Sequence, residues 1–256
     1  FFKAGMFLGA GSVMHGMNDE VNMRKYGALR KFMPITFITF GLGYLAIIGV
    51  PPFAGFYSKD LIIETAFNAG GVKGILLGST ALLGAAITAF YMTRVMVLTF
   101  TSKERWEDNQ HPHESPILMW LPMAILAIGS VTTGFLFTRG DALANWLNPV
   151  FGEHGEGHEE HLFEPIVVSG MALVAVAIGV AIAIKKYQLS KVEAVAPQNV
   201  SIFTRIARKD LMQDAFNEAV FMRPGQALTS LLVKGDESVV DVTVRGIGRT
   251  ALGAGA

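Results

Sequence analysis

Long apolar runs separated by short polar segments dominate residues 1–184. A helix needs roughly 20 residues to cross a bilayer, and runs of that length predict spans at 74–100, 117–138 and 165–184. Residues 1–15 form a shorter apolar run, which we expect to be the end of another span. The polar segments between the runs are interpreted as connectors or loops, with an acidic, His-rich loop at 139–163. The pattern predicts an all-α, polytopic transmembrane helix bundle over residues 1–184.

A further apolar segment, 34–69, is interrupted by the sequence GVPPFAGFYSKD at residues 49–60. Two consecutive prolines remove two backbone donors, and the flanking glycines loosen the chain. As one helix, the segment would be about 52 Å long, too long for one crossing and too short for two. We therefore predict one crossing by a discontinuous helix. Broken backbone and ionisable groups at membrane depth are tolerated where they line a protein cavity, and they usually carry function.

The distribution of basic residues supports a single crossing by 34–69. In that topology, segments 16–33, 102–116 and 185–200 share one side of the membrane. Their basic residues outnumber the two on the opposite side, Lys73 and Arg139. By the positive-inside rule, the basic side is cytoplasmic, or faces the matrix in an organelle. The nine basic residues of that side are Arg24, Lys25, Arg30, Lys31, Lys103, Arg105, Lys185, Lys186 and Lys191.

The chain becomes more polar after residue 184. Residues 185–201 are interpreted as a connector, and 202–256 are too polar to span a membrane. Apolar residues recur there at helical spacing, which predicts an amphipathic helix over 236–252. The residues that carry this spacing are Val240, Val244, Ile247 and Ala251.

Composition agrees with a membrane protein and narrows the chemistry. Mean hydropathy is +0.42, and 51% of residues are hydrophobic while 16% are charged. Basic and acidic residues balance at 21 each, and no basic patch with interleaved aromatics indicates nucleic-acid binding. The sequence has no cysteine, so it has no residue for a disulfide, a thiolate nucleophile or a cysteine-held iron–sulfur cluster. Phe1 opens inside an apolar run, so we expect residue 1 to lie within a span of a longer protein.

Lys3 and His15 are candidate proton carriers in the first apolar run. Lys3 lies about 18 Å along a helix from His15 at the cytoplasmic end, near mid-bilayer in a regular span. A desolvated lysine can change protonation near neutral pH, whereas a lysine that snorkels to the interface would be passive. His15 could pass protons between cytoplasm and interior, or be an interfacial surface histidine.

Lys59 and Asp60 directly follow the interruption. In one interpretation, Lys59 accepts protons, and its charge is tuned by Asp60 and by the freed backbone at the break. In the other, Ser58 caps a new helix, Asp60 lies in its first turn and Lys59 is in solvent. The residues alone leave both open. Glu64 adds a carboxylate one turn after Asp60, and it could equally be an interfacial charge.

No other motif indicates catalysis or a bound cofactor. His154, His158 and His161 lie among glutamates, but their spacing matches no closed metal site, and a solvated loop is the preferred interpretation. We find no phosphate-binding glycine loop, nucleophile elbow or dinucleotide fingerprint. Redox chemistry would therefore have to take place in other chains.

Three stretches resemble the large antiporter-like subunit of respiratory complex I, which is subunit L in bacteria and subunit 5 in mitochondria. They are FFKAGMFLGAGSVMH, the charged connector with MRKYGALRK, and GVPPFAGFYSKD. The tail sequences MRPGQAL and GDESVVD resemble the approach to that family's long lateral helix, which favours subunit L over its shorter siblings. The chain would then be roughly the C-terminal part of such a subunit, with an amphipathic lateral helix beginning at 202–256.

The resemblance implies a proton-translocating subunit of an NADH-quinone oxidoreductase, and so part of an enzyme. Lys3 would match the central lysine of the second half-channel, and Lys59 the terminal lysine of a discontinuous helix with Asp60 beside it. No cofactor is expected in this chain, while flavin, iron–sulfur clusters and quinone are expected in partner subunits. Partners would be other membrane-arm subunits, especially adjacent antiporter-like ones, and the lipid bilayer. The location would be a bacterial plasma membrane or, alternatively, the mitochondrial inner membrane.

Two other functions fit the same residues. The large subunit of a multisubunit Na⁺/H⁺ antiporter would share the lysines and lack the electron-transfer partners. A structural subunit would use its amphipathic tail as a brace along its neighbours, with passive lysines.

Overall fold

Every regular element is helical among the residues that the computed structural model describes, which are 1–107, 110–151, 163–190 and 192–255. The chain divides into two compact units, Phe1–Val195 and Ala196–Ala256. The helices of the first unit are α1 (Phe2–Gly16), α2 (Pro34–Ile48), α3 (Ala54–Asn68), α4 (Gly71–Met96), α5 (Ile117–Thr138), α6 (Ala142–Phe151) and α7 (Pro165–Tyr187). Short 3₁₀ turns occupy Met23–Lys25, Leu29–Lys31 and Arg139–Asp141, and a π turn, Val97–Thr101, extends α4.

In the described part of the chain, three helices are long and apolar enough to cross a membrane: Gly71–Thr101, Ile117–Thr138 and Pro165–Tyr187. They fall on the three uninterrupted spans expected from the sequence. The shorter α2 is also apolar. The predicted all-α, polytopic helical membrane bundle is confirmed.

The interrupted segment is two helices, α2 and α3, joined by residues 49–53. Gly49 ends α2 with a left-handed backbone, φ +83°, which glycine adopts without steric cost. Its N–H donates to the carbonyl of Ala46 at 3.1 Å, and that of Val50 donates to the carbonyl of Leu45 at 3.1 Å. This is the Schellman motif of helix ends. The Pro51–Pro52 peptide bond is cis. The predicted discontinuous helix is confirmed.

The alternative in which Ser58 caps a new helix is wrong. Phe53 precedes α3 with an extended backbone, so the helix already begins at Ala54. Ser58 lies in its second turn, where its hydroxyl donates to the carbonyls of Ala54 and Gly55 at 3.5 and 3.4 Å. A cap at Ser58 would start the helix at Lys59, so the observed helix begins five residues earlier than that interpretation places it.

The expectation of a loop throughout 139–163 is also wrong, because Ala142–Phe151 is helical. Leu143, Trp146 and Val150 recur at helical spacing within it, a pattern masked by the charges that follow from Glu153 onward. The three histidines of the same segment, His154, His158 and His161, lie outside the described residues.

Two buried clusters hold the first unit together. One, near the break, joins α2, α3, α4 and α7 through Ile48, Ile63, Phe67, Ala85, Ala89, Val168, Ala172 and Val176. The other joins α1, α2, the 16–33 connector and the π turn after α4 through Met6, Val13, Met17, Tyr26, Leu29, Phe40 and Phe100. Small residues let α7 approach α4 closely, as is typical of helices packed in lipid: a Cβ on Gly179 would overlap the Ala86 carbonyl. The helices on both sides of the break therefore share one core.

The connector 16–33 is fixed by Arg105. Its guanidinium donates to the carbonyls of Arg24, Met23 and Leu98 at 2.7, 3.3 and 2.8 Å, and also to Ser102 and Lys103. Partial burial lowers the pKa of Arg105 from its ordinary value, although the side chain stays cationic. Since five donors bind at once, Arg105 ties the connector to the end of α4.

Tyr26 and the Glu20–Lys25 ion pair complete this connector. Tyr26 donates a hydrogen bond to the carbonyl of Glu20, and burial raises the pKa of Tyr26 to about 12. Lys25 Nζ lies 2.8 Å from Glu20 Oε2, and this hydrogen bond lowers the pKa of Glu20. The segment is thus an ordered connector that covers the end of the bundle at which α1 ends and α2 begins, here called the loop side.

The second unit is almost entirely helical. After α8 (Ile202–Arg208), which is capped by Ser201, helix runs without interruption through residues 213–254. It consists of α9 (Gln213–Asn217), α10 (Arg223–Gly235) and α11 (Val242–Ala254), joined by π turns at Glu218–Met222 and Asp236–Asp241. Val240, Val244 and Ile247 are exposed along it. The predicted amphipathic helix over 236–252 lies within this run.

We expect Arg105→Met to loosen the connector, because methionine replaces none of the five hydrogen bonds. In inside-out membrane vesicles holding the intact assembly, trypsin should cleave faster after Arg24 and Lys25, as followed by mass spectrometry of the released peptides. Lys103→Met removes a neighbouring, exposed positive charge and is the matched control. Equal cleavage rates in the two variants would contradict the role given to Arg105.

Candidate functional site

The end of α2 presents backbone carbonyls that its own helix cannot satisfy. The Schellman motif uses two of them, at Leu45 and Ala46. The next, at Ile47, accepts a hydrogen bond from Lys59 Nζ at 2.8 Å. Lys59 therefore supplies a donor that the backbone of the break itself does not provide.

The packing of α3 against α2 brings Lys59 to this position. Gly55, one turn before Lys59, lies so close to α2 that an added Cβ would overlap the Ala46 carbonyl oxygen. The Lys59 stem then passes over Gly49, where an added Cβ would lie 3.4 Å from Lys59 Cδ. A cation at the negative end of a helix dipole gains about 0.3–2 kcal/mol. The half-buried ammonium is thus held by charge as well as by geometry.

Asp60 is also half-buried, beside Lys59 in the chain. Consecutive helical positions point about 100° apart, and no ion pair joins the two side chains in the described part of the protein. Oδ2 of Asp60 is buried and makes no hydrogen bond with any described group. Such atoms are rare in folded proteins and call for a functional or solvent partner.

Lys3 and His15 lie at opposite ends of α1, and both are exposed. Among the described residues, no hydrogen bond or ion pair links Lys3 to His15 or to Lys59. The His15 ring lies edge-on to the His113 ring, with centroids 5.7 Å apart. The structure brings Lys59 and Asp60 to the break and does not connect them to Lys3, whose role stays a prediction.

A polar cluster at the other end of α2 was not expected from the sequence. The Glu114 carboxylate accepts hydrogen bonds from the N–H groups of Ile35 and Thr36 at 2.8 and 3.3 Å, and from the Thr36 hydroxyl at 2.5 Å. The Ser12 hydroxyl lies 2.8 Å from that of Thr36 and 2.6 Å from that of Ser115. One signal pointed here: α2 begins at Met33-Pro34 without a capping side chain of its own, so its first N–H groups need an acceptor from elsewhere.

A second polar contact crosses the apolar interior. The Tyr44 hydroxyl lies 2.8 Å from that of Thr93, which also donates to the Ala89 carbonyl at 2.6 Å. Tyr44 precedes Ile47 and Ile48 by about one turn of α2, so a polar group faces α4 one turn from the break.

No group of three or more metal-ligating side chains occurs among the described residues.

Comparison with known proteins identifies the family. The family model "NADH:quinone oxidoreductase/Mrp antiporter, TM" matches residues 1–88, which include the break and Lys59. NADH-quinone oxidoreductase subunit L of Mycobacterium tuberculosis strain H37Rv is 54% identical over 247 residues, covering 96% of this chain and 39% of the relative. This chain belongs to the subunit L and chain 5 family.

More distant relatives agree. NAD(P)H-quinone oxidoreductase chain 5 of a Picosynechococcus strain is 34% identical over 291 aligned positions, which cover 100% of this chain and 43% of the relative. NADH-ubiquinone oxidoreductase chain 5 of Phytophthora infestans is 41% identical over 138 residues, or 53% of this chain and 21% of the relative. The chain thus spans about two fifths of the length of the subunit L and chain 5 relatives that match nearly all of it.

Gly49→Ala should weaken the break, because a left-handed backbone costs a residue with a Cβ about 1–2 kcal/mol. Thermal unfolding of the intact assembly should occur at lower temperature. Gly49→Asn should be milder, since asparagine tolerates this conformation better.

Gly41→Ala is the matched control, because it lies inside α2 and its nearest neighbour would be Met96 Cε at 3.8 Å. If Gly49→Ala and Gly41→Ala unfold at the same temperature, the left-handed helix end is not required.

Proposed function

We propose that this chain is part of a proton-translocating membrane subunit of an NADH-quinone oxidoreductase. The observation that carries the proposal is the hydrogen bond from Lys59 Nζ to the Ile47 carbonyl at the break between α2 and α3. A lysine held at a helix break inside an apolar bundle is suited to binding and releasing protons. The oxidoreductase part of the proposal rests on the match to subunit L over nearly the whole chain.

Lys59 carries the proton in this mechanism. In its charged form, the ammonium makes a charge-assisted hydrogen bond to Ile47, roughly twice as strong as a neutral one. When Nζ gives up a proton, the amine can still donate, but the bond loses its charge. Because neighbouring groups set the charge of a lysine, Asp60, the next residue in the chain, is proposed to tune the charge of Lys59.

Protons reach Lys59 from the cytoplasmic side and leave towards the opposite face. Lys3 is proposed as the central lysine that hands protons on, and His15 as a carrier at the cytoplasmic end of α1. Lys59 and Asp60 form the last proton-binding site before the opposite face. The chain takes no direct part in electron transfer, which belongs to partner subunits that hold flavin, iron–sulfur clusters and quinone. The partners are other membrane-arm subunits, and the location is the plasma membrane of a bacterium.

Substitution of Lys59 tests the proposal. Lys59→Ala removes the proton carrier, whereas Lys59→Arg keeps a cation beside Ile47 that cannot deprotonate in a protein. We expect both variants to assemble and both to lose most of the proton pumping that depends on this subunit, measured as quinone-dependent acidification of inside-out vesicles. Lys73→Arg, at the exposed start of α4, is the matched control. Pumping by Lys59→Arg at the control level would show that residue 59 never releases a proton.

Purification of the chain with its natural partners separates the alternatives. A complex that contains flavin and iron–sulfur subunits supports the oxidoreductase. Purification without them, together with Na⁺-driven proton exchange in vesicles, would assign the chain to a multisubunit antiporter instead. Normal pumping by Lys59→Ala in an assembled oxidoreductase would leave only the structural, bracing role.

A further inference from the structure

The polar cluster at the start of α2 contains more hydrogen-bond contacts than its hydroxyl groups can supply. Four contacts follow one another along a line of oxygens: Glu114 Oε1 to Thr36 Oγ1 at 2.5 Å, Thr36 Oγ1 to Ser12 Oγ at 2.8 Å, Ser12 Oγ to Ser115 Oγ at 2.6 Å, and Ser115 Oγ to the Ser12 carbonyl at 3.1 Å. Each hydrogen bond needs one hydrogen, and three hydroxyls provide three. With Glu114 ionised, one contact has no hydrogen of its own.

One added proton removes this deficit. A proton that binds Glu114 Oε1 forms one new O–H bond, which donates to Thr36. The Thr36 hydroxyl then turns towards Ser12, that of Ser12 towards Ser115, and that of Ser115 towards the Ser12 carbonyl. Every oxygen keeps its own hydrogen, and all four contacts become hydrogen bonds.

The ionised form is supported as well, by the other carboxylate oxygen. Glu114 Oε2 accepts the first N–H groups of α2, from Ile35 and Thr36, and the positive end of the helix dipole favours a negative charge there. Glu114 Oε2 thus caps α2, while Oε1 contacts the hydroxyl line, which is formed by the side chains of Thr36, Ser12 and Ser115. The site has a stabilised arrangement both with and without the proton.

The position of the cluster suits proton exchange with the solvent at the loop side of the bundle. Ser12, Thr36 and Ser115 are buried, while Glu114 is half-buried. The titratable side chains closest to these residues along the chain are His15 on α1, His111 and His113 in the same loop, and Arg30 and Lys31 before α2. Lys3 lies at the other end of α1, and Lys103, Glu104, Arg105 and Glu107 lie earlier in the loop. Helix α5 has no ionisable side chain, and in α2 the ionisable side chain is the phenol of Tyr44, ten residues after Pro34. Exposed imidazoles therefore lie on the outer side, and hydroxyls on the inner side.

We propose that Glu114, with the hydroxyls of Ser12, Thr36 and Ser115, forms a proton-binding site on the cytoplasmic side of the bundle. This inference rests on the proposed function, because it assigns the site to the side from which protons are taken up. Ser12 belongs to the same helix as Lys3, nine residues further along, about 14 Å in a regular helix.

Thr36→Val separates proton binding from simple capping. Valine has nearly the same shape and leaves both N–H bonds to Glu114 Oε2 in place, but it removes the hydroxyl that joins Glu114 to Ser12. Thr36→Ser restores that hydroxyl. Thr88→Val is the matched control, because the exposed Thr88 hydroxyl bonds only the Gly84 carbonyl of its own helix. Each variant is made in the full-length subunit within the intact complex. Assembly and the protons taken up per NADH oxidised are measured in inside-out vesicles.

We expect Thr36→Val to lose as much proton uptake per NADH as Lys59→Arg, while Thr36→Ser and Thr88→Val keep the normal ratio. Glu114→Gln, which can accept an N–H bond but cannot take up a proton, should show the same loss. If Thr36→Val does not assemble, Ser12→Ala breaks the line at its next oxygen, leaves the cap intact and is judged by the same ratio.

Two results would overturn the proposal. Normal uptake in an assembled Thr36→Val or Ser12→Ala complex would mean that the hydroxyl line carries no proton. Loss of assembly in Glu114→Gln together with normal uptake in Thr36→Val would make Glu114 a cap alone. In either case, a defect in Lys59→Arg keeps the proposed function, whereas normal uptake in Lys59→Arg as well would end both.

Discussion

The hydrogen bond from Lys59 to the Ile47 carbonyl is the interaction on which the break depends. A helix that ends among apolar segments must find donors for its last carbonyls, because lipid offers none. Gly49 and Val50 satisfy two of them through their own N–H groups. The third carbonyl is bound by a charged side chain from the next helix, so the geometry of the break and the charge of Lys59 are linked.

Each end of α2 is bound by a side chain whose charge is opposite to the partial charge of the helix dipole at that end. Glu114, from a loop 79 residues further along the chain than Ile35, caps the positive end, and Lys59 occupies the negative end. The helix has no charged residue of its own, yet its dipole is matched at each end by a group that can gain or lose a proton. A proton gained or lost at either end would therefore change how strongly α2 is held there.

The sequence was informative where one residue type decides the local structure. The double proline located the break, and apolar length located the three uninterrupted spans. The sequence was less informative where contacts with a distant segment of the chain determine the local structure. Ser58 looked like a helix cap because nothing in the local sequence shows how closely Gly55 approaches α2. Glu114 lay in a segment classed only as a polar loop, and its link to α2 depends on tertiary packing. The sequence pattern does not reveal helix Ala142–Phe151, because the charges that follow it dominate this part of the chain. The apolar neighbours of Lys3 predict a buried lysine, but Lys3 lies exposed on the first turn of α1 without a described partner.

A side-chain density map of the intact membrane assembly tests the central claim most directly. We predict that Lys59 Nζ lies within about 3 Å of the Ile47 carbonyl oxygen, with Gly49 left-handed and α3 beginning before Ser58. A map in which α2 continues as a regular helix past Gly49, with Lys59 directed away from Ile47, would contradict it.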